Sequence, residues 1–266
     1  MPVVFADEHH QCWNHETAGQ VFMAERWGTV LELWRYPVSS LRGERISSVQ
    51  LDSHGVACDR GWGLADADGN VAAPESERRW RFVPDMLARV GDNGLEINID
   101  GAAWLPAPSD LADAAASTRA GFPVSFRPLS HTSGTATVTQ LAPRYDRGHL
   151  HILTTASLRA LADLLPPQSM VDVRRFRPNI VVDMEENEPG FPDRQLIGRT
   201  LRIGNAVVAI NEPCERCSFT ALAQGDLPFA KEVMHAIARH GGGGFGVLAT
   251  VIEAAEIHQG DPVSLT

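Results

Sequence analysis

Long apolar runs are missing from this chain. No stretch of eighteen or more apolar residues occurs, so no helix is expected to cross a membrane. Basic runs are missing as well. Lys and Arg number 23 against 33 Asp and Glu, a net charge of −10. That balance argues against nucleic acid or an anionic membrane surface as partner, because both rely on a basic footprint. Cysteine is scarce, with four in 266 residues. Residues 1–15 lack the basic and apolar regions of a secretory signal, so free thiols in a reducing cytoplasm are the expectation. No internal repeat is visible.

What is present is ordinary for a globular protein: 44% hydrophobic and 21% charged residues, enough for one large domain or two smaller ones. Residues 1–27 read as an irregular polar extension. His9, His10, Cys12 and His15 cluster there, either as soft metal ligands or as a surface-docked terminus. From Thr29 the pattern is one of short strands, as in a small barrel or sandwich. Gly61–Ala65 leads through Asp66-Ala67-Asp68-Gly69-Asn70 to Val71, a hairpin signal, and Asp92-Asn93-Gly94 between Leu87–Val90 and Leu95–Ile99 is a second.

Leu111–Ala120 predicts a helix, with Ser109 and Asp110 as start and Gly121 as stop. The small polar stretch Ser130–Gly134 marks a domain boundary, dividing 28–134 from 135–266. Strands are expected at Val124–Arg127, His149–Leu153, Ile180–Asp183, Leu201–Ile210 and Val247–Ile252. Helices are expected over Ser157–Leu165 and from Pro228 to about His240. Trp34, Trp62, Trp80 and Phe82 read as core or interface packing. The remaining histidines, His151 among them, show no ligand spacing, so no second metal site is expected.

The chemistry concentrates in Asn211-Glu212-Pro213-Cys214-Glu215-Arg216-Cys217, which follows the apolar run Ala206–Ile210. A thiolate selects soft or high-valent metals. A CxxC spacing by itself also fits half of a zinc site or buried small residues. About thirty residues earlier stands Arg175-Phe176-Arg177-Pro178-Asn179-Ile180-Val181, whose guanidinium and amide groups suit an anionic ligand. Pro178 is expected to keep Arg177 extended, sending Arg177 and Asn179 to one face of a strand. Thr154, Thr155 and Ser157 form a strand-to-helix turn, read either as an anion cradle or as ordinary helix capping.

With Leu33-Trp34-Arg35-Tyr36-Pro37-Val38-Ser39-Ser40, Cys58-Asp59-Arg60-Gly61-Trp62, Leu201-Arg202-Ile203-Gly204 and Gly260-Asp261-Pro262-Val263, these segments resemble, in order, the landmarks of the MOSC family and its N-terminal β-barrel partner domain. The amidoxime-reducing members look most similar in function. The resemblance implies a mainly β fold with peripheral helices (α+β), an N-terminal β-barrel domain packed on a barrel-like MOSC domain. It implies the molybdenum cofactor (molybdopterin), with Cys217 as metal ligand. Ser40, Arg60, Thr154, Thr155, Arg177, Asn179 and Arg216 are its candidate contacts, and Cys214 a packed or supporting thiol.

The activity implied is reduction of a small N-hydroxylated substrate with electrons from a separate donor protein, since no iron–sulfur cysteine pattern follows the GDPV segment. Sulfur transfer through a cysteine persulfide, and cofactor binding without catalysis, are the alternatives. Two positions depart from the relatives: Ser39, where lysine is usual, and Cys58, where glycine or a polar residue is common.

Overall fold

The computed structural model describes residues 26–130, 150–184 and 190–266. The histidine–cysteine group at 9–15 and all but Ser130 of the expected boundary segment lie outside them. In chain order the N-terminal strands are β1 (Arg26–Arg35), β2 (Glu44–Ile46), β3 (Ser48–Asp52), β4 (Gly55–Val56), β5 (Trp62–Asp66), β6 (Leu87–Gly91), β7 (Gly94–Asn98) and β8 (Leu105–Pro106). Helix α1 (Asp110–Ala120) and β9 (Val124–Pro128) follow. The second half holds β10 (Leu150–Thr154), α2 (Thr155–Asp163), β11 (Ile180–Asp183), β12 (Thr200–Ile203), β13 (Ala206–Glu215), α3 (Lys231–His240), β14 (Gly244–Glu253), β15 (Glu256–His258) and β16 (Pro262–Leu265).

The strands β11-β10-β14-β13-β12-β16-β1 close into a barrel, because β1 pairs on one side with β16 and on the other with β11. Only the β10–β11 pairing in this ring is parallel. Alternating apolar residues fill the interior: Val30 and Leu33 from β1 meet Ile152, Val182, Leu201, Ile203, Val208 and Val247. The first strand is therefore a stave of a barrel otherwise built from residues beyond 150. β3 joins the same core and pairs with β15.

Closure demands a close approach at Gly28. A Cβ there would sit 2.4 Å from the Asp183 carbonyl oxygen and 2.7 Å from Val182 Cγ1. Backbone cannot yield as a flexible side chain can, so Gly28→Ala is expected to cost on the order of 1–3 kcal/mol. A urea melt reads this directly, and an unchanged midpoint would mean the barrel is looser than described.

A second core lies between the sheets β5–β9 and β6-β7-β8, with Trp80, Leu64, Met86, Ile97 and Phe126 fully or nearly buried. Helix α1 covers it, started by the Ser109 hydroxyl accepting from Ala112 N and stopped by left-handed Gly121, as expected. The Asp92-Asn93-Gly94 hairpin also forms as expected, pairing Leu87 through Gly91 with Asn98 through Gly94. α2 and α3 pack over the barrel's end on Phe176, Phe245 and Leu161.

Three local expectations are corrected. β5 takes β9 as its long partner, while Val71 returns through a single bridge to Ala65. The Asp66 carboxylate instead closes the turn, accepting from Asp68 N, Asn70 N and Arg79. Helix α2 begins at Thr155, two residues early, because Thr154 rather than a later hydroxyl caps it. Helix α3 begins at Lys231 rather than Pro228, because the Pro228 carbonyl is held by Arg175 and Ala230 N bonds Ala221 O.

Candidate functional site

A cavity of about 310 Å³ opens where the end of β13, the start of β10 and the segments 36–60 and 176–179 converge. The backbone around it is unusual. Among the described residues, the non-glycine positions with positive φ are Ser40 (67°), Cys58 (63°), Arg60 (50°) and Arg177 (54°). Three of these line the cavity. Left-handed conformations at residues with a Cβ cost free energy and persist only where surrounding contacts impose them.

Those contacts centre on Tyr36, whose ring is buried. The guanidinium carbon of Arg177 lies 4.2 Å from the ring centroid and that of Arg60 5.0 Å, both within cation–π range. Asp59 accepts from Tyr36 N at 2.6 Å and pairs with Arg60. Arg60 also donates to the Arg177 carbonyl at 3.0 Å and to Asn179 Oδ1 at 3.4 Å. Arg177 donates to the Leu41 carbonyl. Two permanently charged forks are thus set side by side on one cavity wall.

Asn179 is almost fully buried. Its Oδ1 accepts from His151 N at 3.1 Å, and its Nδ2 donates to the Trp34 carbonyl at 3.4 Å. It ties β10 to β1 and to Arg60. Its side chain positions other cavity residues, with little left over for a ligand.

The two cysteines differ. Cys217 is exposed and sits just before the short 3-10 turn Ser218–Ala221. Cys214 is buried at the end of β13, where the strand's register shifts repeatedly against β14, as β-bulges do when they re-aim side chains. Arg216 Nη1 donates to Cys214 Sγ at 3.0 Å, and the same guanidinium donates to Phe176 O at 2.9 Å and Thr220 Oγ1 at 3.4 Å. Burial pushes the Cys214 thiol up, but the nearby His151 and Arg216 outweigh it and bring it down to about 6.

Among the described residues, no group of three or more His, Cys, Asp or Glu is placed to hold a metal ion, and no helix is long and apolar enough to cross a membrane.

Two family models divide the chain. The MOSC N-terminal beta barrel domain matches residues 27–143 and the MOSC domain matches residues 142–264. The chain belongs to the MOSC family. A curated relative, molybdenum cofactor sulfurase of Drosophila grimshawi, is 25% identical over 241 residues, covering 79% of this chain. The alignment spans only 30% of that longer protein. Among solved structures, the YuaD protein from Bacillus subtilis superposes with a TM-score of 0.47 at 14% identity, covering 91% of this chain and 98% of that one. YiiM from Escherichia coli gives 0.34 at 20% identity, covering 45% of this chain and 54% of its own.

Of the MOSC residues expected at the site, Ser40, Arg60, Arg177, Asn179, Arg216 and Cys217 line the one cavity. Thr154 and Thr155 do not. Thr154 Oγ1 caps α2 by accepting from Ser157 N at 3.1 Å, while Thr155 Oγ1 donates to Asp183 at 2.8 Å and accepts from Met184 N. Capping is therefore what the Thr154 hydroxyl does, the Thr155 hydroxyl ties α2 to Asp183 and Met184, and neither residue lines the cavity. The expectation of an extended Arg177 is also corrected, since its φ is 54°; the contacts to Leu41 and Tyr36 override the preference that Pro178 imposes.

Asp59 beside Arg60 reads from the sequence either as orienting it or as capping a turn, and it pairs with Arg60; sequence reasoning missed His151. The available signal was a histidine inside β10, every residue of which is buried.

Proposed function

We propose that the cavity holds the molybdenum cofactor and that the chain reduces small N-hydroxylated substrates with electrons from a separate protein. The observation that carries this reading is the sharing of one cavity by an exposed thiol, Cys217, and the paired guanidiniums of Arg60 and Arg177. The donor set fits the group. A phosphate suits the planar forks, a flat heterocycle suits Phe176 and Phe219, which also line the cavity, and the metal takes one thiolate.

When bound, the cofactor supplies the electrons and accepts the substrate oxygen. The chain's own residues do the rest. Arg60 and Arg177 anchor the anionic end, Ser40 adds a hydroxyl beside them, and Asn179 holds Arg60 and β10 in register. Arg216 keeps the strand end against Phe176 and so presents Cys217. With a net charge of −10, a basic donor protein is the favoured partner, in the cytoplasm, where free thiols persist. The division into 28–134 and 135–266 after an extension of 1–27 serves this reading, except that Arg26–Arg35 belongs to the barrel of the second unit.

A second reading, sulfur transfer through a cysteine persulfide, is favoured by the low-lying thiol of Cys214. A third, cofactor delivery without catalysis, separates from the first by turnover. Elemental analysis of protein from a host that makes the cofactor tests the first reading. Wild type is expected to hold near-stoichiometric molybdenum, and Cys217→Ser to lose it roughly tenfold or more. Equal molybdenum in both would remove Cys217 from the metal, and a persulfide without molybdenum would favour sulfur transfer.

A further inference from the structure

We propose that Cys214, His151 and Arg216 form a peroxide-reactive thiol site in the cavity wall, distinct from Cys217, at which hydrogen peroxide oxidises Cys214 to a sulfenic acid.

His151 is held through its main chain and one ring nitrogen. Its main chain is bracketed by Asn179, which accepts from His151 N at 3.1 Å and donates its own N–H to His151 O at 2.8 Å. Its Nε2 lies 3.2 Å from the Phe245 carbonyl oxygen. A carbonyl only accepts, so Nε2 carries the hydrogen and the other ring nitrogen keeps a lone pair in the neutral ring. Room for the ring comes from Gly246, where a Cβ would stand 2.3 Å from Nε2 and where φ is +76°. This base shares the cavity wall with Cys214 and acts electrostatically on its thiol.

Arg216 completes the unit. Its guanidinium donates to Sγ at 3.0 Å while its other donors are fixed on Phe176 O and Thr220 Oγ1. The charged and titratable groups acting on the thiol are therefore Arg216 from its own strand end and His151 from β10. Asp193, 1% exposed on the turn Pro192–Leu196, acts on His151 from behind. Cys214 itself borders the cavity, which gives a molecule as small as peroxide its route.

The step balances. His151 takes the thiol proton, and the sulfur attacks one peroxide oxygen. The O–O bond breaks as the S–O bond forms, and the departing hydroxide recovers the proton from His151 to leave as water. Sulfur loses two electrons and peroxide gains them. With no reducing thiol added, the sulfenic acid is available for trapping.

The test uses metal-free full-length protein, so its outcome does not depend on the cofactor reading. Protein is treated with hydrogen peroxide at pH 7 in the presence of dimedone, and labelled peptides are mapped by mass spectrometry. Cys214 is expected to label at least about tenfold faster than the exposed Cys58. His151→Gln is expected to slow Cys214 about tenfold, the equivalent of one pKa unit, and to leave Cys58 unchanged. Where that variant does not fold by circular dichroism, Arg216→Gln replaces it with the same expected direction. Labelling first at Cys58 or Cys217, or no loss at Cys214 in a folded variant, overturns the proposal.

Discussion

Arg175→Met is expected to unfold at a temperature about 10 °C below wild type, from a loss on the order of 3–5 kcal/mol. Arg175 is fully buried. It donates to Met170 O at 3.1 Å, Leu222 O at 3.3 Å and Pro228 O at 2.7 Å. Replacing a buried ion pair by apolar groups is often neutral, because both charges go together. Here the partners are backbone carbonyls, which no side-chain substitution removes, so the variant leaves them without this donor, the Leu222 carbonyl in a fully buried contact.

The loss also has a local face. Arg175 pins the segment Leu222–Pro228, which follows the turn carrying Phe219 directly after Cys217. Amide hydrogen exchange should therefore rise over 217–230 before the barrel strands loosen. A melting shift under about 3 °C would show that water or a repacked side chain satisfies those carbonyls.

Tyr36 separates two kinds of contribution. Its hydroxyl is buried and, among the described residues, has no hydrogen-bond partner, and burial holds the phenol well above its ordinary pKa. Tyr36→Phe removes an unsatisfied polar group and keeps the ring, so stability should be unchanged or higher by about 1 kcal/mol. Tyr36→Ala removes the platform under Arg60 and Arg177 and the stacking with Trp34, whose ring lies 6.3 Å away at 14°. A cost of about 3–5 kcal/mol is expected for the deletion.

With the ring gone, fewer contacts offset the left-handed backbone at Arg60 and Arg177. Molybdenum retained through purification should fall roughly tenfold or more in Tyr36→Ala and stay at the wild-type level in Tyr36→Phe. Equal retention in both variants would mean that the arginines hold their places without the ring.

Local signals in the sequence were readable where a structure depends on neighbours in the chain. The Asn93-Gly94 turn, the Ser109 and Gly121 ends of α1, and the β character of Thr29–Arg35 rest on conformational preferences within a few residues. The gathering of Arg60, Arg177, Arg216 and Cys217 was readable through family resemblance, not through spacing. Readings stayed open where two chemistries share one pattern: Thr154 and Thr155 suit a cap and a cradle equally, and only the folded chain shows Thr154 capping α2 and Thr155 bonded to Asp183.

Strand and helix content, a mainly β class and a thiol-plus-arginine chemistry thus belong to the chain's own pattern, because residue type and near-neighbour preference encode them. Three features do not: β1 closing a barrel built from residues beyond 150, Arg177 held left-handed ahead of a proline, and His151 brought against Cys214. Each joins segments far apart in sequence. Their contacts offset the local cost of strain and burial once the two cores pack together, and residue spacing carries no record of that.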